Sequence, residues 1–134
     1  MPMNTEQTVD SLEPAAPLSG VRVVDLGQYI AGPGAAMALA DLGASVIKVE
    51  PLAGDQARHI GRYGESMIRA YNRGKRSIAL DLKSDAGREA ALRLIARSDV
   101  VIQNLRPGVV DKLGIGPRAV RERFPRVIYL SISG

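Results

Sequence analysis

The feature that most constrains the fold is the stretch of residues 18–50, which predicts a strand, a glycine-rich turn, a helix and a second strand. Residues 21–26 are a short apolar run between two glycines, as in a buried strand. Residues 35–42 are good helix formers, and Gly43 is a natural helix stop because glycine adopts a left-handed backbone without a Cβ clash. Residues 46–49 predict the second strand. Such a βαβ unit has parallel strands, and ligands bind at their carboxyl ends.

The rest of the chain repeats this alternation, with one long exception. Residues 52–75 have no clear period and many glycines and arginines, so they predict an irregular segment of the kind that is functional or mobile. The later elements are a third strand at 77–82, a helix capped by Ser84 or Asp85 and ending near Arg97, a fourth strand at 100–102, a helical turn at 109–113, a helix from Pro117 to near Phe124, and a fifth strand at 127–132. This order predicts an α/β fold with a doubly wound, open, mostly parallel sheet.

Composition and charge exclude several classes of protein. The absence of cysteine excludes disulfides and thiolate metal sites, and we expect a cytoplasmic protein without a metal. No apolar run approaches the roughly 20 residues that span a bilayer, and no secretory signal pattern is present. The net charge is +4, but residues 1–17 carry three acids and no base, so the remainder carries +7. A basic body predicts an anionic partner, and the 4% aromatic content argues against nucleic acid.

Basic residues near predicted strand ends favour a site for a phosphorylated ligand. Residues 104–108 follow the fourth strand and precede a helical turn, so their backbone N–H groups and Arg106 can converge on a phosphate. Four more cations flank the third strand or follow on the short helix: Lys75, Arg76, Lys83 and Lys112. Because parallel strands end at one sheet edge, we expect these groups to share a ligand with several phosphates.

One dinucleotide-binding motif matches only in part. Residues 32–37 lie where a glycine fingerprint belongs, and Glu50 lies where an acid would bind a ribose. However, Met37 replaces the third glycine, and Pro33 removes a backbone N–H that could face a pyrophosphate. A tight turn without a cofactor explains this stretch equally well.

Other side chains with catalytic potential are better explained as structural. His59 is the only histidine and lies in the arginine-rich segment, where we expect it on the surface. Ser131 and Ser133 lack the preceding glycine of a nucleophile elbow. Asp25 and Asp41 do not form a carboxylate pair suited to acid–base work. A structural role is therefore the favoured interpretation for each of these side chains.

A series of short motifs resembles the N-terminal part of family III CoA-transferases, the group that includes formyl-CoA transferase, carnitine CoA-transferase and α-methylacyl-CoA racemase. Each motif is modest alone, but their order and spacing over residues 18–134 are specific. The motifs are PLSGVRVVDL at 17–26, AGP at 31–33, LGASVIKVEP at 42–51, NRGKRS at 72–77, LDLK at 80–83, NLRPG at 104–108 and LG at 113–114.

The resemblance implies a Rossmann-like, CoA-binding domain over residues 18–134, after a tail at 1–17 that its polar composition predicts to be disordered. It also implies an interlocked homodimer in the complete protein, with acyl-CoA and a carboxylic acid as substrates. By position it implies CoA contacts at Tyr29, Ala31, Leu80, Leu82, Lys83, Asn104, Leu105, Lys112 and Leu113, to which we add Arg106 from the same loop.

The resemblance also implies that the chemistry lies outside these residues. Family transferases use an aspartate nucleophile, which forms an acyl anhydride and then an aspartyl-CoA thioester. That aspartate lies downstream of residue 134 in the family, so this chain alone should be inactive. Ile30 replaces a glutamine of the oxalate-handling formyl-CoA transferases, which favours an apolar acyl group over oxalyl.

Three alternatives remain open at this point. The complete protein could be an α-methylacyl-CoA racemase, which uses a downstream His and Asp pair as acid and base. The chain could instead be a non-catalytic CoA-binding module. A nicotinamide-binding domain is the remaining alternative, and it predicts affinity for NAD and none for CoA.

Overall fold

The strands of the computed structural model form one sheet in which all neighbours run parallel. Over residues 15–134, which the structure describes, the strands are β1 (Arg22–Asp25), β2 (Ser45–Glu50), β3 (Lys75–Ala79), β4 (Val100–Gln103) and β5 (Ile128–Ser131). Their order in the sheet is β3-β2-β1-β4-β5. The predicted α/β fold is therefore confirmed, and the sheet is wholly rather than mostly parallel.

Helices cover both faces of the sheet. The helices are α1 (Ala31–Asp41), α2 (Gly61–Tyr71), α3 (Asp85–Ala96), α4 (Val109–Lys112) and α5 (Pro117–Arg123), with a 3₁₀ helix at Gln56–His59. Val23 of β1 packs with Ala36 of α1 on one face, whereas its neighbour Val24 packs with Ile95 of α3 and Val120 of α5 on the other. This alternation follows from the period of two along a strand.

The strand order creates a switch point between β1 and β4. The chain moves from β1 outward through β2 to β3, then returns through α3 to β4 on the other side of β1. The loops that follow β1 and β4 consequently leave the sheet in opposite directions. A crevice opens between such loops at the carboxyl edge, and it is the usual ligand site of this architecture.

The predicted helix boundaries were confirmed at α3 and α5 and wrong at α1. The Ser84 hydroxyl accepts the N–H of Gly87 at 3.0 Å and caps α3, and Pro117 opens α5. Helix α1 begins at Ala31, so the predicted glycine-rich turn at 31–34 is its first turn. Pro33 is tolerated there because the first N–H groups of a helix have no partner within the helix.

The prediction of an irregular segment at residues 52–75 was wrong. The 3₁₀ helix and α2 occupy most of it, and β3 begins at Lys75 rather than at residue 77. Two glycines in α2 weakened the helical signal, yet Gly64 lets the helix pack directly on the carbonyl of Ala57. The predicted disordered tail at 1–17 lies mostly outside the described residues and stays a prediction.

Candidate functional site

A cleft of about 1020 Å³ lies at the carboxyl edge of the sheet, beside the switch point. Eight of the ten residues predicted to contact CoA line this cleft: Tyr29, Leu80, Leu82, Lys83, Asn104, Leu105, Arg106 and Leu113. Ala31 and Lys112 do not line it, and their contact with CoA stays a prediction. The sequence analysis did not single out six further lining residues, namely Gln28, Pro51, Leu52, Gln56, Asp81 and Val109.

The wall of the cleft combines an apolar surface with two cations. Four of the five lining leucines are half-buried and pack against the core on the α3 face of the sheet, whereas Leu52 is exposed. The exposed side chains of Lys83 and Arg106 come from the loops after β3 and β4, and Asp81 is the one acid among the described lining residues. Such a surface suits a ligand that carries both an apolar part and anionic groups.

The side-chain amide of Asn104, which lines the cleft, is engaged within the fold. Its Oδ1 accepts the backbone N–H of Gln28 at 2.8 Å, and its Nδ2 donates to the Gln28 carbonyl at 2.9 Å. The amide therefore ties the loop after β4 to the loop after β1. Gly32 lies directly against this contact, because a Cβ at that position would stand 2.7 Å from Asn104 Oδ1.

Tyr29 lines the cleft with an unusual backbone. Among residues 15–134 it is the one residue other than glycine with a positive φ, at 62°. A left-handed conformation costs an L-residue roughly 1–2 kcal/mol. Its N–H donates to Asp55 Oδ1 at 3.1 Å, and its hydroxyl donates to Gln56 Oε1 at 2.7 Å. Contacts on both the backbone and the ring thus hold Tyr29 in place.

Beneath this loop lies a buried cluster of two acids and two bases, which we call the ionic cluster: Asp25, Lys48, Asp55 and Lys75. Lys48 Nζ lies 2.8 Å from Asp55 Oδ2, and Lys75 Nζ lies 2.8 Å from Asp25 Oδ2. Burial lowers the pKa of the Lys75 amine from its ordinary value, and Asp25 opposes that shift. The cluster is electrically balanced, as buried charges must be.

Two of the cations predicted to bind an anion, Lys75 and Arg76, have other partners in the structure. The Lys75 amine is occupied by Asp25, the Pro33 carbonyl and Asn72, all within 3.0 Å. Arg76 Nη2 donates to Ser45 Oγ at 3.1 Å. Arg76 lies near the amino end of β3, whereas the cleft lies at the carboxyl edge of the sheet, so Arg76 does not line it. Of the cations predicted to flank β3, only Lys83 lines the cleft.

Glu50 is likewise committed to a structural partner. Arg58 donates to both of its oxygens at 2.8 and 2.9 Å, and Ser77 and the Asp55 N–H each donate at 2.9 Å. The hydrogen bond from Arg58 is the main reason that the pKa of Glu50 falls to about 2. The oxygens of Glu50 are thus occupied within the fold, which argues against a role as a ribose-binding acid.

Three other candidates from the sequence analysis, His59, Asp41 and Asp25, have structural surroundings, as we predicted. His59 is exposed, with Nε2 3.0 Å from the Ala53 carbonyl oxygen, and Asp41 pairs with Arg73 at the surface. Asp25 belongs to the ionic cluster. Among residues 15–134 no group of three or more His, Cys, Asp or Glu is arranged to hold a metal, and none of the described helices is long and apolar enough to cross a membrane.

The sequence profile of CoA-transferase family III matches residues 18–134. The chain belongs to this family. A probable fatty acyl-CoA transferase of Mycobacterium tuberculosis is 44% identical over 126 residues, which cover 90% of this chain and 32% of that protein. A CoA-transferase/lyase of a Marinomonas species is 48% identical over 118 residues, covering 88% of this chain and 13% of that protein. A succinate–glutarate CoA-transferase of Agrobacterium fabrum is 44% identical over 129 residues, covering 88% and 32%.

Solved structures of family members have the same fold. A crystal structure of a Mycobacterium tuberculosis protein superposes with a TM-score of 0.84 at 44% identity and covers 90% of this chain and 34% of that chain. A CaiB/BaiF family protein from Brucella suis gives a TM-score of 0.84 at 43% identity, with the same coverage. This family III chain thus spans about a third of the length of most relatives that it matches.

Proposed function

We propose that residues 18–134 bind the CoA part of an acyl-CoA, as the N-terminal part of an acyl-CoA:carboxylate CoA-transferase. The observation that carries the proposal is the cleft at the switch point, which is lined by Lys83, Arg106 and several leucines. CoA combines a phosphorylated nucleotide with a less polar arm. Family membership supports the same ligand, since the printed names of the relatives are those of CoA-transferases.

The complete reaction that we propose moves CoA between two carboxylic acids. A downstream aspartate carboxylate attacks the thioester carbonyl, which releases CoA thiolate and leaves an acyl-aspartyl anhydride. The thiolate attacks the aspartyl carbonyl, which forms an aspartyl-CoA thioester and frees the first acid. The second acid reverses these two steps. Every bond broken is balanced by one formed, and no other reactant is needed.

In this proposal the present chain binds and orients CoA rather than reacting with it. Lys83 and Arg106 bind phosphate oxygens, and the leucines cover the less polar parts of CoA. Ile30 precedes α1 and is exposed, which is compatible with an apolar acyl group nearby. A racemase in the same family would bind CoA in the same way, so the chemistry downstream separates the two functions. A non-catalytic CoA-binding module is the remaining alternative.

Calorimetric titration with CoA, dephospho-CoA and NAD tests the binding proposal. We expect CoA to bind, dephospho-CoA to bind more weakly, and Lys83→Gln and Arg106→Gln each to lower the affinity about three- to tenfold. Arg93→Gln is the matched control, because Arg93 is an exposed cation of α3 that does not line the cleft. Binding of NAD without CoA would overturn the proposal, as would equal losses in all three variants.

We also propose that the complete protein is an interlocked homodimer in the cytoplasm. The proposal rests on the resemblance to family III transferases, whose two chains thread through each other. Sedimentation equilibrium of the full-length protein tests it. We expect a dimer mass that does not dissociate on dilution, and a monomer would contradict the proposal.

A further inference from the structure

Tyr29 occupies a conformation that its own side chain disfavours, so something outside the residue must hold it. Its φ of 62° is sparsely populated by L-residues, and strained residues of this kind concentrate at functional sites. Its phenol lines the cleft, where a ligand would contact it. The contacts that impose this conformation are therefore candidates for control of the site.

The buried carboxylate of Asp55 supplies the contact to the Tyr29 backbone. Asp55 is fully buried, and its Oδ1 accepts the N–H groups of both Tyr29 and Ala57, at 3.1 and 2.9 Å. Its own N–H donates to Glu50 Oε2 at 2.9 Å, which anchors it to the end of β2. The acceptor for Tyr29 is thus held rigidly from the sheet below.

A second contact holds the other end of the same loop. Lys48 Nζ, 2.8 Å from Asp55 Oδ2, also donates to the carbonyl of Gly27 at 2.8 Å. Gly27, Lys48, Asp55 and Tyr29 therefore form a closed series of contacts around the loop after β1. Replacing a buried ion pair by apolar side chains is often neutral or stabilising, so such a pair is weak support for a purely stabilising role.

We propose that Asp55 is a positioning residue of the CoA site, which holds Tyr29 in its left-handed conformation so that the phenol forms part of the cleft wall. The inference rests on the proposed binding of CoA. Asp55 itself lies outside the cleft and acts through the Tyr29 backbone. Loss of this contact would let Tyr29 relax to a commoner conformation and withdraw the phenol from Gln56.

Four variants separate positioning from stability. Asp55→Ala removes the acceptor for Tyr29, whereas Asp55→Asn retains an acceptor oxygen and loses only the charge that faces Lys48. We expect both to lower the melting temperature, but only Asp55→Ala to weaken CoA binding by about tenfold. Glycine at position 29 adopts a positive φ without strain, whereas alanine does not. We therefore expect Tyr29→Gly to bind CoA more tightly than Tyr29→Ala.

The comparison at residue 29 keeps the inference testable if Asp55→Ala fails to fold. If Asp55→Ala does not fold, equal affinities of Tyr29→Gly and Tyr29→Ala for CoA would overturn the inference. If it folds, introducing Asp55→Ala into the Tyr29→Gly background should lower the affinity less than in the parent chain, because glycine no longer needs the contact. Equal losses of affinity in both backgrounds would overturn the inference. The inference would also be overturned if, across all the variants, the CoA affinity simply fell in proportion to the loss of melting temperature.

Amide NMR signals distinguish failure of this inference from failure of the proposed function. In the parent chain the Tyr29 and Ala57 amides should both report hydrogen bonds to Asp55, and both should shift in Asp55→Ala while amides of α5 do not. If the parent chain does not bind CoA, the proposed function and the role in CoA binding are both overturned. If CoA binds but the Tyr29 amide is unmoved by Asp55→Ala, only the positioning role is overturned.

Discussion

The side chain of Asn104 pairs with the backbone of Gln28 much as a neighbouring strand would. It both accepts the Gln28 N–H, at 2.8 Å, and donates to the Gln28 carbonyl, at 2.9 Å. The two loops that diverge at the switch point are therefore joined by a side-chain amide rather than by backbone. A side-chain amide has a donor and an acceptor in the right positions for both bonds.

Replacing Asn104 tests this connection. Asn104→Ala loses both hydrogen bonds and leaves half-buried backbone groups unpaired, which we expect to lower the free energy of unfolding by about 1–3 kcal/mol. Asn104→Asp retains an acceptor for the Gln28 N–H but faces the Gln28 carbonyl with a second acceptor. Denaturant unfolding should rank the parent chain above both variants. If Asn104→Asp were as stable as the parent chain, the hydrogen bond from Asn104 Nδ2 to the Gln28 carbonyl would contribute nothing to stability.

The contact between α1 and Asn104 predicts opposite effects at two neighbouring glycines. Gly32→Ala would place a Cβ 2.7 Å from Asn104 Oδ1 and 2.9 Å from the Gly27 backbone, which we expect to destabilise the fold by about 1–3 kcal/mol. Gly34→Ala is the matched control in the same helix, since its Cβ would meet only Tyr71 at an ordinary 3.5 Å. Alanine is the better helix former, so Gly34→Ala should be neutral or stabilising by up to about 1 kcal/mol. Thermal unfolding of the two variants checks the contrast.

Loss of one base from the ionic cluster should be far more damaging than loss of a surface base. Lys48→Met leaves the buried Asp55 carboxylate without its cation, and breaking a buried pair costs about 3–5 kcal/mol. Arg69→Met is the control, because Arg69 pairs with Glu65 at the surface with both side chains mostly exposed, and such pairs contribute at most about 0.5 kcal/mol. Urea unfolding measures both. Similar losses in the free energy of unfolding for Lys48→Met and Arg69→Met would contradict the described pairing of charges in the ionic cluster.

The lowered pKa of Glu50 predicts that the protein loses stability in acid. A carboxyl whose folded-state pKa is lowered from 4.5 to about 2 contributes stability that is complete above pH 4.5 and is lost as the pH falls toward 2. At neutral pH that contribution is at most about 3 kcal/mol, and exposure of Arg58 to solvent reduces it. Glu50→Gln should therefore be less stable than the parent chain at pH 7, and the difference should shrink between pH 5 and pH 2. If the difference in stability between Glu50→Gln and the parent chain did not change between pH 5 and pH 2, the proposal that the hydrogen bond from Arg58 lowers the pKa of Glu50 would be contradicted.

Much of the fold followed from local patterns in the sequence. Apolar runs of four to six residues, glycines at their ends and capping residues such as Ser84 predicted the strands and most helices, because these signals act within a few residues. The same patterns predicted the sheet edge at which the cleft lies, since parallel strands deliver their loops to one side. The family motifs then identified most of the residues that line the cleft.

Helix α2 shows where local patterns were insufficient. Its glycines and arginines give little helical preference, and the helix is supported by packing against the 3₁₀ helix and α1. Tertiary packing overrides weak propensity in this way because the stability of a short helix in water is marginal.

The sequence by itself determined an α/β chain whose parallel strands deliver their loops to one edge, since element type and order depend on neighbours along the chain. Only the tertiary structure decided that Lys75 is buried against Asp25 while Lys83 faces the cleft, and that Asp55 reaches across 26 residues of sequence to Tyr29. The physical reason is that charges pair according to distance in space and burial. Those distances exist only after the sheet has brought β1, β2 and β3 side by side.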